Sequence, residues 1–565
     1  MTTDAPAAPA FCAWLDDFFE SYYRLRPVNA TFVGVHEYDH LLPDVSADGV
    51  EALRAESRAL LSRLRSLPDG PLSPSECIDR TLAKGFLEIS AWELSSPHFA
   101  HGNPSVFTGD AVFGVLSLFL RPFAPLDERV RNAVERLAGI QTYLHDARSI
   151  LRSAPPAWTE RALRECEGAR AFLGGGIDIL CRQAGAGAQR LRETADRAAA
   201  AFAGFEYWLR TDLLYQASTE YACGAEVLQF IVQRAHGVKT SLSDLEYYAL
   251  DHIDSARAYL QAHAMDFGAS TPAEALAQLR ALHPSVDRYY AAYAEVAESA
   301  RATALQHRLL TWPDFPLEFV PQPEWARDAA PNLYFLFYRS PAPFDRVIPV
   351  QYLVTPVEPE MPHDEHQLRL QSTNDSVIKL NHVVHHGGIG HHVQNWHATG
   401  AASRIGRMAA TDCASRVAMQ CGGTMAEGWA CYATELMDEV GFLTPLESYA
   451  ERHARLRMAA RMVADIRLHS GRWSLEETAA FYVDTVGIPD DAARNEAVKN
   501  SMFPGTALMY LLGTDQIHDL RHELTQRVGP SFDLQQFHDW FLSYGSIPVA
   551  LIAREMRREV DHAER

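Results

Sequence analysis

Residues 382–397 read HVVHHGGIGHHVQNWH and hold six histidines, at 382, 385, 386, 391, 392 and 397. The whole chain has 24 histidines in 565 residues, so an average window of this length holds fewer than one. The cluster is internal and interrupted, unlike a purification tag. On an α-helix, His382 and His385 are i, i+3 and His382 and His386 are i, i+4; either pair can chelate one metal ion. Gly387, Gly388 and Gly390 weaken or kink such a helix. The break can swing His391 or His392 back toward the same point. Without it, His385 and His392 stand two turns, ~10.5 Å, apart, too far for one ion. The competing reading is a set of helix-capping and core histidines.

A carboxylate partner follows. Residues 424–435, TMAEGWACYATE, read as a helix with Glu427, Cys431 and Glu435 at i, i+4, i+8. Glu427 sits among Ala426, Gly428, Trp429 and Ala430, which read as buried. A buried carboxylate needs a partner, and a metal ion is one.

Helical periodicity extends outward on both sides. Amphipathic or Ala/Leu/Arg-rich segments are expected at about 9–26, 48–66, 77–96, 127–152, 158–183, 187–214, 243–266, 272–280 and 284–307. They resume at 374–396, 403–440, 445–470, 474–486, 490–500, 504–526 and 534–542. Between them, Pro-rich residues 310–362 carry two β-rich runs, Asn332–Tyr338 and Val347–Thr355, expected to form a small sheet or hairpin. That strip is the natural seam between a helical N-terminal lobe, 1–315, and a metal-site lobe, 316–565. Tyr334, Tyr338 and Arg339 on the strip are candidates for gripping an extended substrate, because an edge strand can pair with peptide backbone.

Composition narrows the class. Hydrophobic residues make up 47% and charged residues 22%, which fits globular domains and excludes global disorder. Lys+Arg is 51 against 72 Asp+Glu, a net charge of −21. Such a surface repels phosphate backbones and anionic membranes, though it leaves room for a local basic pocket. No run approaches ~18 uninterrupted apolar residues, and the start lacks a signal-peptide pattern. A cytoplasmic protein is therefore expected, with a small-molecule or short-peptide substrate as partner. The eight cysteines form no C-x-x-C pair and read as reduced thiols, neither disulfides nor a thiolate zinc site.

Five ordered blocks resemble a known family. They are His385–Gln394 (HHGGIGHHVQ), Glu427–Glu435 (EGWACYATE), Asp465 through His469 to Trp473-Ser474, Pro504–Gly513 (PGTALMYLLG) and Phe532–His538 (FDLQQFH). Residues 26–46, RPVNATFVGVHEYDHLLPDVS, match the family's opening. The chain resembles the bacterial domain-of-unknown-function family eight-eight-five, whose members look like gluzincin-type zinc peptidases. The resemblance implies a mostly α, two-lobed, zincin-like fold around a deep cleft with one small β-sheet. It implies a divalent metal, zinc first and iron second, held by His385, by His391 or His392, and by Glu427. His469 and Tyr510 are implied as hydrogen-bond donors to an oxyanion. Family members carry Glu directly after the first histidine and Pro three residues later; this chain has His386 and Ile389 there. That Glu passes a proton from metal-bound water to the leaving group.

Three functional readings stay open. In the first, a metallohydrolase acts on a peptide, amide or amino-acid-derived molecule with His386 as base, since an imidazole of pKa ~6.5 accepts protons at neutral pH. In the second, the site is rebuilt as a non-haem iron oxygenase, lyase or cyclase of specialised metabolism, with His382 or His386 as an added ligand. In the third, the protein is a catalytically silent binder of a peptide or metabolite. Metal content, and turnover of an acyl-peptide with and without chelator, separate them.

Overall fold

Helix start signals are dense along the chain. Ser46 accepts from Gly49 N ahead of the Ala47–Ser66 helix. Ser73 with Glu76, Thr444 with Glu447 and Ser474 with Glu477 form reciprocal capping boxes ahead of Pro74–Glu93, Pro445–His469 and Leu475–Val486. Each cap satisfies amide donors that a helix end leaves orphaned, worth ~1 kcal/mol apiece. The computed structural model describes residues 9–67, 71–333, 341–345, 347–411 and 416–563, and it is mostly helical.

The chain divides into two compact units, 1–221 with 322–347, and 222–321 with 348–565. The units interleave along the sequence, so the single boundary expected at 315/316 does not describe them: the described residues 322–333 and 341–345 belong with the first unit. In that unit the apolar face of Pro9–Leu25 stacks Phe11, Trp14 and Phe18 in a row, with Phe86 against Phe18 and Tyr22. Arg136, fully buried, spends its donors on Leu41 O (2.9 Å), Pro27 O (3.2 Å) and Thr31 Oγ1 (2.7 Å), and also on Gly114 O and Ser117 Oγ. The Pro104–Leu120 helix is absent from the expected set because it is apolar on all sides and shows no amphipathic period.

The second unit holds the sheet. Strand β1 (Leu317–Pro321) pairs in parallel with β2 (Val350–Val354), Leu317 opposite Val350 and Phe319 opposite Tyr352. β2 lies inside the expected Val347–Thr355 run. Its partner differs from expectation: Asn332 ends a 3₁₀ turn, and 334–338 lie outside the described residues. The pairing is parallel and long-range, so it is no hairpin. Elsewhere in the unit, Leu228, Leu245, Leu456, Met462, Tyr482 and Leu511, from five helices, belong to one apolar core. A closing helix, Val549–Ala563, adds to those expected. No helix among the described residues is long and apolar enough to cross a membrane.

Candidate metal centre

The decisive local structure is a π-helix, Val377–Gly387, where an α-helix was expected. Its i→i+5 bonding makes each turn one residue wider than α, and such segments gather at functional sites. In the wider turn, His382 and His386 both lie against Tyr352 of β2, with ring centroids 5.7 and 6.4 Å from it. His382 Nδ1 is 2.6 Å from the Tyr352 hydroxyl, so this histidine is tied to the sheet. The π-helix ends at Gly388, and a new helix, His391–Thr399, begins after Gly390. Gly390 is required there by close approach. A Cβ would meet the His385 carbonyl oxygen at 1.9 Å. The tight return carries the chain back over its own last turn.

That return brings His391 to His385 and His386. Each of the three offers one ring nitrogen, and the three atoms lie within 4.8 Å of one another. Ring centroids are 4.7 Å (385–386), 4.9 Å (385–391) and 5.1 Å (386–391) apart. Glu427 enters from the Arg416–Glu439 helix. Its Oε2 is 3.4 Å from His385 Nε2 and 3.8 Å from His391 Nε2. Trp429 of the same helix donates its indole N–H to Ile389 O at 2.9 Å, locking the helix to the glycine loop. Behind it, the helix crosses Met509–Val528 backbone to backbone. A Cβ on Gly513 would lie 2.1 Å from Thr424 O, and one on Gly428 would lie 2.5 Å from Gly513 C.

The electrostatics suit cation binding. Burial alone would raise the Glu427 pKa, but the hydrogen bond to His385 and the neighbouring imidazoles His391 and His386 hold it well below the usual carboxylate range. Burial pushes His391 down to about 4 and His386 well below the ordinary imidazole value. At neutral pH these are an ionised carboxylate and neutral imidazoles, the protonation states that metal ligation needs. Gln394 hydrogen-bonds the His391 ring and reaches Ser546 Oγ at 3.3 Å. Such outer partners orient a ligand ring. Two donors on one tetrahedral zinc ion stand about 3.3–3.6 Å apart, given ligand distances of ~2.0–2.2 Å. The Glu427 distances are close to this, so the donor set fits a divalent ion.

Other expected residues are placed differently. His392 turns away: its Nε2 is 2.7 Å from Phe315 O, and its ring stacks on Phe315. It and His391 are neighbours on one helix and point in different directions, so His392 leaves the ligand set. His469 is fully buried, with Nε2 3.0 Å from Asn500 O and 3.6 Å from Asp465 Oδ1. Asp465 in turn accepts from Gly505 N and Leu508 N, each at 3.1 Å. His469 therefore ties its helix to the 500–508 turn. Tyr510 lies with its ring 4.5 Å from the Arg461 guanidinium. Glu435, two turns beyond Glu427, is held by Arg455 at 2.8 Å and His518 at 2.7 Å. Tyr334, Tyr338 and Arg339 lie outside the described residues. Sequence reading missed Tyr352 and Gln394 as supports; Gln394 lies within the first motif block, whereas nothing local marks Tyr352.

The fold has solved counterparts. One is the structure of "a putative lipoprotein of unknown function from Shewanella oneidensis", with TM-score 0.76 and 22% identity over 97% of this chain and 100% of that one. Another is "the putative lipoprotein from Colwellia psychrerythraea", with TM-score 0.80 and 17% identity over 98% of this chain and 99% of that one. At these identities the likeness is one of fold. No functionally curated protein matches the sequence. The family described as "bacterial protein of unknown function (DUF885)" matches residues 27–556, nearly the whole chain, and this protein belongs to that family.

Proposed function

We propose that the second unit carries a metal-dependent, hydrolase-like centre acting on a peptide, amide or amino-acid-derived small molecule, with gluzincin-type ancestry. The observation that carries this reading is the position of Glu427 Oε2, 3.4 and 3.8 Å from imidazole nitrogens of His385 and His391, on two other helical segments. His385, His391 and Glu427 would hold the ion, zinc first and iron second. A bound divalent ion supplies Lewis-acid polarisation of a carbonyl and a lowered pKa for water. The chain's own groups bind, orient and move protons. Glu427 brings the negative charge that offsets the cation. Gln394 fixes the His391 ring. His386 stands in the base position as a neutral imidazole. Its lowered pKa makes it a weak proton acceptor, so activated acyl groups should turn over and unactivated peptides hardly at all.

One observation favours a second reading. A His386 nitrogen lies in the same 4.8 Å cluster as those of His385 and His391. As a fourth donor it would give three imidazoles and one carboxylate, a set suited to Zn, Cu or Fe and to oxygenase, lyase or cyclase chemistry. The experiment is metal analysis and X-ray absorption on the natural protein and on His386→Glu, with hydrolysis of an activated acyl-peptide followed with and without chelator. The first reading expects an unchanged metal content and a gain of about 10²-fold or more on His386→Glu. The second expects no gain and one imidazole fewer around the metal in the variant. Absence of both metal and turnover sinks both readings and leaves a silent binder.

A further inference from the structure

The Pro445–His469 helix presents Arg457 and Arg461 one turn apart on one face. Both lean on a single carboxylate. Arg457 Nη2 is 3.1 Å from Glu496 Oε2, and Arg461 Nε is 2.7 Å from Glu496 Oε1. Two cations thus share one anion, and Lys499 adds positive charge beside Glu496. A guanidinium has five N–H donors. Arg461, only 13% exposed, spends one on Glu496 and lays its face over the Tyr510 ring at 4.5 Å. Arg457 also gives a single hydrogen bond, and its buried Nε has no acceptor among the described residues. Arg136 shows how this chain treats a structural buried arginine, with oxygens placed around the whole fork. Among the described residues the 457/461 pair has no such ring of acceptors, and two guanidinium charges face one carboxylate.

The pair connects to the candidate centre through the Met509–Val528 helix. Tyr510, under Arg461, is one turn before Gly513, whose backbone presses on Thr424 and Gly428 around Glu427. Arg457 is open to an incoming group, with 42% of its side chain exposed. We propose that Arg457 and Arg461 form a carboxylate-binding subsite, and that the substrate carries a free carboxylate close to the bond presented to the metal centre. The proposal rests on the hydrolase-like reading for calling the occupant a substrate group; the subsite itself stands on the arginine geometry.

The test reads binding, not turnover. Full-length protein, as purified and after chelator treatment, is titrated calorimetrically with N-acetyl-Ala-Gly and with its C-terminal amide. The free acid should bind about tenfold tighter or better than the amide, in both metal states, as expected for charge-assisted hydrogen bonds. Arg457→Gln should reduce the difference to within about twofold. Arg457→Lys should keep part of it, and thermal melting should show both variants folded. A difference that persists in Arg457→Gln, equal binding of acid and amide, or no binding of either overturns the proposal. Acid binding that vanishes on chelation places the carboxylate on the metal and overturns it as well. Loss of metal or of turnover with the acid preference intact would remove only the hydrolase-like reading.

Discussion

At the scale of single residues, the site turns on one carboxylate and one glycine. Glu427 is the anionic member of an otherwise imidazole cluster. Glu427→Gln keeps the volume and removes the charge, so metal affinity should fall at least about tenfold with little change in melting temperature. Competition with a chromogenic chelator measures this; unchanged affinity would remove Glu427 from the ligand set. Gly390 is the second case. The Cβ of Gly390→Ala would meet the His385 carbonyl oxygen at 1.9 Å, so the return loop must open. His391 should then leave the cluster, and metal binding should drop more than global stability does. A Gly390→Ala protein with natural metal content would show that His391 reaches the centre by another route. That His385 and Glu427 meet one of the two histidines 391 and 392 was legible in the sequence, because the glycine break and the motif blocks point to it. The choice between His391 and His392 was not legible, since adjacent helical residues differ only in which neighbour, Glu427 or Phe315, each one meets.

At the scale of elements, the π-helix Val377–Gly387 carries His382, His385 and His386 and sets their direction. Deleting one residue from it, Leu380 for example, should let it relax toward α geometry. His385 and His386 would then turn by roughly 100° relative to Tyr352 and Glu427. The expected outcome is near-natural helical circular dichroism with loss of metal binding, and a deletion that binds metal normally would contradict it. Sequence patterning gives no sign of this element. α and π helices of this length share composition, and the extra residue is accommodated by packing against Tyr352 and by the glycine exit. The sheet shows the same limit. Val350–Val354 has a β-rich, largely buried sequence and was legible. Leu317–Pro321 is short and ends in proline, and its role comes from a partner more than thirty residues away. The helices were read best, because their caps and amphipathic periods are local signals.

At the scale of the whole molecule, buried histidines dominate the response to acid. His236, His469 and His538 are buried and bonded to the carbonyls of Gly505, Asn500 and Leu309. Burial lowers their pKa to about 4, 4 and 3. The unfolded chain takes up their protons as the pH falls through about 6.5, while the folded chain does not. Their contribution is intact above that value and is lost progressively toward pH 4. Asp465 and Glu451 act in the opposite sense, since burial raises them to about 7 and 8. The folded chain keeps their protons where the unfolded chain has released them, and this contribution is lost as the pH rises through those values. Thermal stability should therefore peak near pH 6–7 and fall on both sides, and His538→Gln should flatten the acid limb. A melting temperature that stays level from pH 4.5 to 9 would contradict this balance.

The crossing of Gly428 over Gly513 has a mechanical consequence. Two main chains in direct contact leave no side chain between them to repack and no void to give up. Hydrostatic pressure acts on a protein by removing internal empty volume, and dense regions resist it most. This joint should be among the least compressible places in the unit. The Glu427 segment and the turn that carries Tyr510 should shift together as one stiff block, while the softer contacts around them yield first.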